Sequence, residues 1–243
     1  MTFQLPTNQE KAEFVHNQFE RIAKGYDLTN DLISMGMHRL WKARAVSELI
    51  QDKSGSYLDV CSGTGDLALS IAHRLKAEGS VTGLDFSANM LAVAKNRQER
   101  LSRPLKSQVK WIEGNALELP FPSQSFDGAI VSFGLRNLSD FDRGVAEMAR
   151  VVKSGGRVIN LDLGESRVPG FAQIFAFYFS NVVPMIGEIV QRDRSAYTYL
   201  PQSRTTYPKP DGITEIFKRA QLKNIKHIPL ALGTVALHAG TVA

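Results

Sequence analysis

The chain has 243 residues, 43% of them hydrophobic and 22% charged, a balance that belongs to a folded globular protein and excludes a disordered or fibrous one. Its formal charge of +5 is dispersed, as at Lys95, Arg97, Arg100, Arg103, Lys106 and Lys110, over the polar positions of an amphipathic helix and its exit. It therefore reads as a solvated face rather than a nucleic-acid stripe, although a mildly basic surface also suits an anionic membrane.

The single cysteine, Cys61, excludes an intramolecular disulfide. Met1 to Pro6 lack the basic segment and apolar run of a secretion signal, so the chain is expected on the cytoplasmic side. Phe14, Phe19 and Ile22, then Trp41, Ala45 and Leu49, have the spacing of helices packed on a sheet edge or over a cleft. From residue 57 short β-rich runs alternate with helical patterns, which predicts a mostly parallel sheet with helices on both faces. The expected strands are Tyr57 to Cys61, Val81 to Asp85, Val109 to Glu113, Phe126 to Phe133 and Arg157 to Asp162. Between them, Leu67, Ile71 and Leu75, then Leu91, Ala94 and Leu101, then Phe141, Val145, Met148 and Val152 mark helices, and Lys153 to Gly156 supplies a turn.

Residues 163 to 208 break the alternation with two aromatic-rich helical stretches. Val168 to Gly187 carries no charge and is about long enough to span a bilayer. Pro169 and Pro184 are expected to interrupt it, however, and a span here would split one sheet across the membrane. Helices forming a lid over an apolar substrate cavity are the better reading. A helix at 211–221 and strands Ile225 to Leu230 and Thr234 to Ala239 close the chain. The expectation is one domain over 1–243: N-terminal helices (1–56), a core (57–162), a helical lid insertion (163–208), and a closing helix and strands (209–243).

The sharpest motif is Leu58-Asp-Val-Cys-Ser-Gly-Thr-Gly-Asp66, ending the first strand and opening a helix. Gly63 and Gly65 let the backbone turn and approach a ligand, with Thr64 between them. Gly63, Gly65 and Ala68 also fit a dinucleotide fingerprint, so a nicotinamide-dependent dehydrogenase is an alternative. Asp59 separates the two, because a carboxylate there suits the positive amino group of S-adenosylmethionine and would repel a pyrophosphate. Asp85 is placed to accept ribose hydroxyls, Asn115 and Ala116 to meet the adenine edge, and Ser132 to line the same crevice. Singly, Asp85 also reads as a helix cap and Ser132 as a turn residue; four strand ends converging on one ligand are far more specific.

Beyond that motif the chain resembles the ubiquinone/menaquinone biosynthesis C-methyltransferases over nearly its whole length. The resemblance rests on Phe19-Glu-Arg-Ile-Ala-Lys-Gly-Tyr-Asp27 leading into Asn30, Ser34, His38 and Trp41, on Phe133-Gly-Leu-Arg-Asn137, and on Arg150-Val-Val-Lys-Ser-Gly-Gly156. It implies a class I S-adenosylmethionine-dependent methyltransferase fold with a seven-stranded sheet, S-adenosylmethionine as co-substrate, and methylation of a prenylated quinol ring. Leu28-Thr29, Ser154 and Asp162-Leu-Gly164 depart from the family pattern. With the short C-terminal end, they look more like the cyanobacterial and plastid branch acting on 2-phytyl-1,4-naphthoquinol. Demethylmenaquinol is the other naphthoquinol, and a ubiquinone-type benzoquinol precursor the alternative ring. A non-catalytic S-adenosylmethionine-binding module is the alternative of another class, against which the retained Arg136-Asn137 and Tyr26 blocks argue.

A quinol becomes a carbon nucleophile when a ring hydroxyl loses its proton; the oxidised quinone cannot. Arg136 and Asn137 are the expected donors to the oxyanion, with a structural salt bridge the competing role for Arg136. Asp66 is the residue expected to orient a water as base, or else a first-turn residue favoured by the helix dipole. Tyr26 and His38 are expected to close the pocket over the methyl group, with structural hydrogen bonding the plainer role for His38. Phe171 to Tyr178 and Val182 to Ile189 are expected to wall a channel for the isoprenoid tail, or to be plain core. The lipophilic quinol is the expected partner, with peripheral contact to the membrane that holds it. No metal and no nucleic acid is expected.

Overall fold

The computed structural model describes residues 9–191 and 203–243. The first eight residues, and 192–202 of the expected lid insertion, lie outside the described residues.

Seven strands, β1 (Ser56–Val60), β2 (Ser80–Asp85), β3 (Val109–Glu113), β4 (Phe126–Ser132), β5 (Val152–Leu163), β6 (Lys223–Leu230) and β7 (Val235–Thr241), form one sheet in the order β3-β2-β1-β4-β5-β7-β6. β7 runs antiparallel to both its neighbours and the other pairs are parallel, as the mostly parallel expectation has it. Strands covered on both faces need near-continuous apolar runs. β1 is buried throughout after Ser56, with Asp59 the one charge inside it.

One face is covered by α3 (His38–Leu49) and α4 (Asp66–Ala72), through Val46, Leu49, Leu67 and Ile71. The other is covered by α7 (Phe141–Val151) and α10 (Pro210–Arg219), through Val145, Met148, Ile216 and Phe217. The chain winds outward from β1 to β3 in one direction and from β4 to β5 in the other. This leaves a crevice beyond the carboxyl ends of β1 and β4, where such sheets bind ligands. Three N-terminal helices, α1 (Gln9–Ile22), α2 (Tyr26–Ser34) and α3, reach that end.

Two local expectations are corrected. Lys153 to Gly156 does not end before the strand: Val152 already pairs with Phe126, and the turn is a bulge inside β5 with Gly155 at φ +80°. Main-chain bonds from Gly155 N–H to Val242 and from Val242 N–H to Gly156 hold it in the sheet. Pro184 does not interrupt the apolar segment either. α8 (Phe171–Phe177) passes through a π-helical turn, Tyr178–Val182, into α9 (Val183–Gln191) as one run. Proline lacks an N–H and crowds the carbonyl four residues back, and the wider π turn just before it makes the room.

Candidate active site

β1 runs into a loop in which Cys61, Gly63 and Gly65 all take positive φ, at 57°, 54° and 79°. A Cβ on Gly65 would collide with the Trp111 ring, whose Nε1 is tied to Gln98 Oε1 at 2.7 Å. A Cβ on Gly63 would meet nothing within 4 Å, because Gly63 borders a cavity of about 540 Å3, a volume in the range of cofactor sites. Asp85, Asn115, Ala116, Ser132 and Asn137 line the same cavity. It lies over the ends of β1 to β4, as the converging-strand reading expects.

Helix α1 covers this cavity with Ala12, Val15 and Phe19, three positions on one helical face. It is pinned at both ends. Lys11 Nζ donates to the carbonyls of Arg136 and Leu138 at 3.1 and 2.7 Å, and Glu20 accepts from Ser87 Oγ at 2.6 Å and from Asn89 N–H at 3.1 Å. The sequence marks Phe19 twice, by helical spacing that allows a helix over a cleft and as the start of the Phe19 to Asp27 block, whereas Ala12 and Val15 are not singled out there.

The cavity is electrostatically prepared for a cation. Asp85 is 4% exposed, and burial raises its carboxyl to about 6 despite backbone N–H groups that oppose the shift. Those bonds come from Gly63 at 2.7 Å and Ser87 at 3.0 Å. Asp59 lies behind the loop, lining neither this cavity nor the narrower one beside it, and burial raises it to about 8. Its Oδ2 has no hydrogen-bond partner among the described residues. Two buried carboxyls that gain from a nearby positive charge fit a cofactor carrying a sulfonium and an ammonium, and disfavour a pyrophosphate.

A second, narrower cavity of about 130 Å3 shares Tyr26, Ser132 and Phe133 with the first. Its walls come from α2 and α3 (Ile33, Ser34, His38, Trp41), from the lid (Phe175, Tyr178, Phe179), and from Arg136. Ser132 Oγ is buried without a hydrogen-bond partner among the described residues, between the two spaces. Arg136 is 6% exposed, its Nη1 is 2.6 Å from Asp162 Oδ1, and its guanidinium lies 5.8 Å from the Phe133 ring centroid. It is thus both a buried ion pair and a wall of the cavity. His38 Nδ1 lies 2.7 Å from Ser34 Oγ, and burial, then the charge of Lys42, lowers its pKa from 6.5.

Four expected roles are corrected. Asp66 lines neither of these cavities; Lys42 and Arg97 hold its two oxygens at 2.8 and 3.0 Å. Burial alone would raise its carboxyl, but those cations keep it well below the usual carboxylate range, so it makes a poor base. Thr64 turns its hydroxyl away, donating to Asp27 Oδ1 at 2.6 Å. Asn137 lines the larger cavity and not the smaller, so Arg136 and Asn137 face different spaces. In the aromatic stretch Phe177 is 67% exposed and Phe171 lines neither of these cavities, leaving Phe175, Tyr178 and Phe179 on the inner face. Among the described residues no cluster of His, Cys, Asp and Glu could hold a metal ion.

A family model described as the ubiE/COQ5 methyltransferase family matches residues 6–242. A demethylmenaquinone methyltransferase from Desulfitobacterium hafniense is 40% identical over 235 residues, covering 96% of this chain and 92% of its own. One from Bacillus licheniformis is 38% identical over 232 residues, with 96% and 98% covered. Among solved structures, a SAM-dependent methyltransferase from Thermotoga maritima, titled a possible histamine N-methyltransferase, superposes with a TM-score of 0.66 at 19% identity over 94% of this chain and 99% of its own. At that identity the likeness shows the fold, the one expected for a class I methyltransferase, and not the substrate.

Proposed function

Because the chain belongs to the ubiE/COQ5 methyltransferase family, we propose that it transfers the methyl group of S-adenosylmethionine to a ring carbon of demethylmenaquinol. The observation that carries this reading is the junction of two unlike cavities at Tyr26, Ser132 and Phe133. One, with the buried Asp85 carboxyl in its wall and Asp59 behind the loop, suits a cationic co-substrate; the other, largely aromatic and aliphatic, suits an apolar ring. The names of the two relatives support the naphthoquinol.

S-adenosylmethionine, held by Gly63, Asp85, Asn115 and Ala116, supplies an electrophilic methyl group. The chain's own task is then to stabilise an acceptor oxyanion. Arg136, fixed by Asp162 at 2.6 Å and screened from water, offers its charge at the acceptor cavity, where low dielectric strengthens it. Tyr26 and Phe133 separate the two ligands and hold the ring against the junction.

The finer assignment to 2-phytyl-1,4-naphthoquinol rests on Leu28-Thr29, Ser154 and Asp162-Leu-Gly164, and it becomes one arm of the test. We also place the protein at the surface of the membrane that holds the quinone. Leu32, Met35 and Leu40 on the α2–α3 turn, and Ile174, Phe177, Met185 and Ile189 on the lid, are all between 46% and 74% exposed. Both elements wall the acceptor cavity. The lid run Phe171–Gln191 is apolar and long enough to cross a bilayer by length and composition, but its inner face packs on α2 and on Leu163. A peripheral position that buries only its outer face fits better.

The deciding assay offers labelled methyl donor to demethylmenaquinol, 2-phytyl-1,4-naphthoquinol and a benzoquinol precursor, each with and without reductant. Methyl transfer to a reduced naphthoquinol is expected. Equal rates on the oxidised quinone would sink the carbanion chemistry, and preference for the benzoquinol would sink the ring assignment.

A further inference from the structure

Resting on the quinol reading, a second question concerns protons. A neutral quinol methylated by a sulfonium donor must lose one net proton per turnover, and the acceptor cavity is lined mostly by apolar side chains. Its wall is polar toward the outer cleft in two places: Lys42, which lines the cavity, is held by Asp66 of the cleft at 2.8 Å, and beside that ion pair runs a seam through Ser34 and His38. The Ser34 hydroxyl donates to the Asn30 carbonyl at 2.6 Å, its Oγ lies 2.7 Å from His38 Nδ1, and His38 Nε2 lies 3.7 Å from Asp31 Oδ1. Ser34 and His38 line the acceptor cavity. His38 and Asp31 line a separate polar cleft of about 430 Å3, with Lys24, Arg39 and Arg97. Among the described residues His38 is the one side chain common to both spaces.

We propose that Ser34 and His38 form a proton relay carrying the acceptor's ring-hydroxyl proton out of the cavity to the cleft beside Asp31. The Ser34 hydroxyl first turns from the Asn30 carbonyl to Nδ1 of neutral His38; the ring hydroxyl then gives its proton to Ser34 Oγ as Ser34 passes its own to Nδ1, and the imidazolium releases the Nε2 proton to solvent in the cleft. The oxyanion's electron pair closes a C=O bond as the ring π pair forms the bond from ring carbon to methyl carbon, while the pair of the breaking carbon–sulfur bond stays on sulfur. The hydrogen displaced from that ring carbon returns as a proton to the ring oxygen when aromaticity is restored. One proton leaves per methyl group.

The charged surroundings suit this task. His38 is faced by Lys42, Asp66, Asp31 and Arg39; burial is the largest influence and, with Lys42, lowers its pKa from 6.5, so the ring is neutral and able to accept at pH 7. Asp31 is hydrogen-bonded to Arg39 at 2.9 and 2.7 Å. These bonds are the main reason its carboxyl is lowered, which keeps it anionic beside a transient imidazolium. The Arg39 side chain is 67% exposed, so the cleft end of the relay meets solvent.

His38→Gln, Ser34→Ala and Ser34→Thr test it. With a short-tailed demethylmenaquinol, the first two should lower kcat at pH 7 about 100-fold with KM within about threefold, and Ser34→Thr should restore most of the rate. Wild-type kcat should be level near neutrality and fall off below pH 6.5, the ordinary value from which His38 is lowered. In His38→Gln it should instead climb steadily with pH through neutrality. Independently of activity, 15N NMR of the wild type should show His38 neutral at pH 7, with its Nδ1 resonance moved by Ser34→Ala. If His38→Gln fails to fold, Ser34→Ala carries the decision. Unchanged kcat and pH profile in either variant of an active enzyme, or a charged His38 at pH 7, would overturn the relay alone. A wild type that methylates no quinol would instead remove the acceptor assignment, and the relay with it.

Discussion

The two cavities that meet at Tyr26, Ser132 and Phe133 are held by different forces. The larger, beneath its α1 cover, has a floor fixed by main-chain groups at the strand ends: the N–H groups of Gly63 and Ser87 donate to Asp85, and Ser62 N–H donates to the Leu84 carbonyl at 3.0 Å. The smaller is closed by side chains across a seam between α2 and the lid, where the Tyr178 hydroxyl donates to the Ile33 carbonyl at 2.7 Å and Gln191 Nε2 to Thr29 Oγ1 at 3.0 Å. A site drawn by backbone bonds in a sheet keeps its shape when empty. One closed by side-chain bonds between helices can open at lower cost than a sheet can. A soluble co-substrate can use the first kind, whereas an acceptor with a long lipid tail needs the second.

The comparison breaks most completely at the glycine loop. Gly65→Val should abolish S-adenosylhomocysteine binding by calorimetry, a loss of about 100-fold or more, and cost about 1–3 kcal/mol of stability, since Gly65 sits at φ +79° against Trp111. Gly63→Ala is the sharper companion. Its Cβ meets no protein atom within 4 Å, so the fold should lose only about 1 kcal/mol while the methyl group occupies ligand space. If Gly63→Ala binds as well as wild type, the cavity beside it is not the cofactor site.

The same contrast explains what was legible beforehand. The larger cavity is built from consecutive strand ends, and each left a local mark: glycines after β1, Asp85 at the end of β2, Asn115 and Ala116 after β3, Ser132 at the end of β4. The smaller joins Ser34 and His38 to Phe175 and Tyr178, more than a hundred residues apart, and no local spacing encodes that meeting. Asp66 misled for the same reason. Its place beside the glycine loop was visible, but Lys42, 24 residues away, and Arg97, 31 residues away, turn it into the centre of an ion-pair network. The exposed face of the lid was hidden as well, because an uncharged aromatic run shows nothing of which side chains face inward.

Asp59→Asn probes the electrostatic half of the comparison at smaller scale. Asp59 is raised from 3.8 to about 8 in the folded protein, so the native state binds the extra proton between those values. Its contribution to stability is therefore present at low pH and lost as pH rises toward 8. The asparagine variant should lose this slope, melting higher than wild type at pH 8 and equally at pH 4, while binding the cationic co-substrate about tenfold more weakly. Wild type should also release a proton on binding at pH 7, seen as a buffer-dependent heat that the variant lacks. Parallel melting-versus-pH curves for the two proteins would show that Asp59 does not carry the burial cost assigned to it.

The smallest effects should separate the two faces of the lid. Phe175 lines the acceptor cavity, stacked on Phe179 at 5.4 Å, whereas Phe177, two residues on, is 67% exposed. A lipid tail has no polar handle, so what selects it is apolar area, worth about 25 cal/mol per Å2, and the loss of one ring should change preference by roughly tenfold at most. Phe175→Ser should thus reduce discrimination between tailed and tailless naphthoquinols while leaving flotation with anionic vesicles unchanged. Phe177→Ser should do the reverse, weakening flotation severalfold at constant tail preference, because an outward ring meets the bilayer and not the substrate. Melting curves of both variants control for packing. If both substitutions shift tail preference equally, the tail lies along the outer surface of the lid instead of beneath it. If neither alters flotation, the exposed apolar face does not dock on membranes.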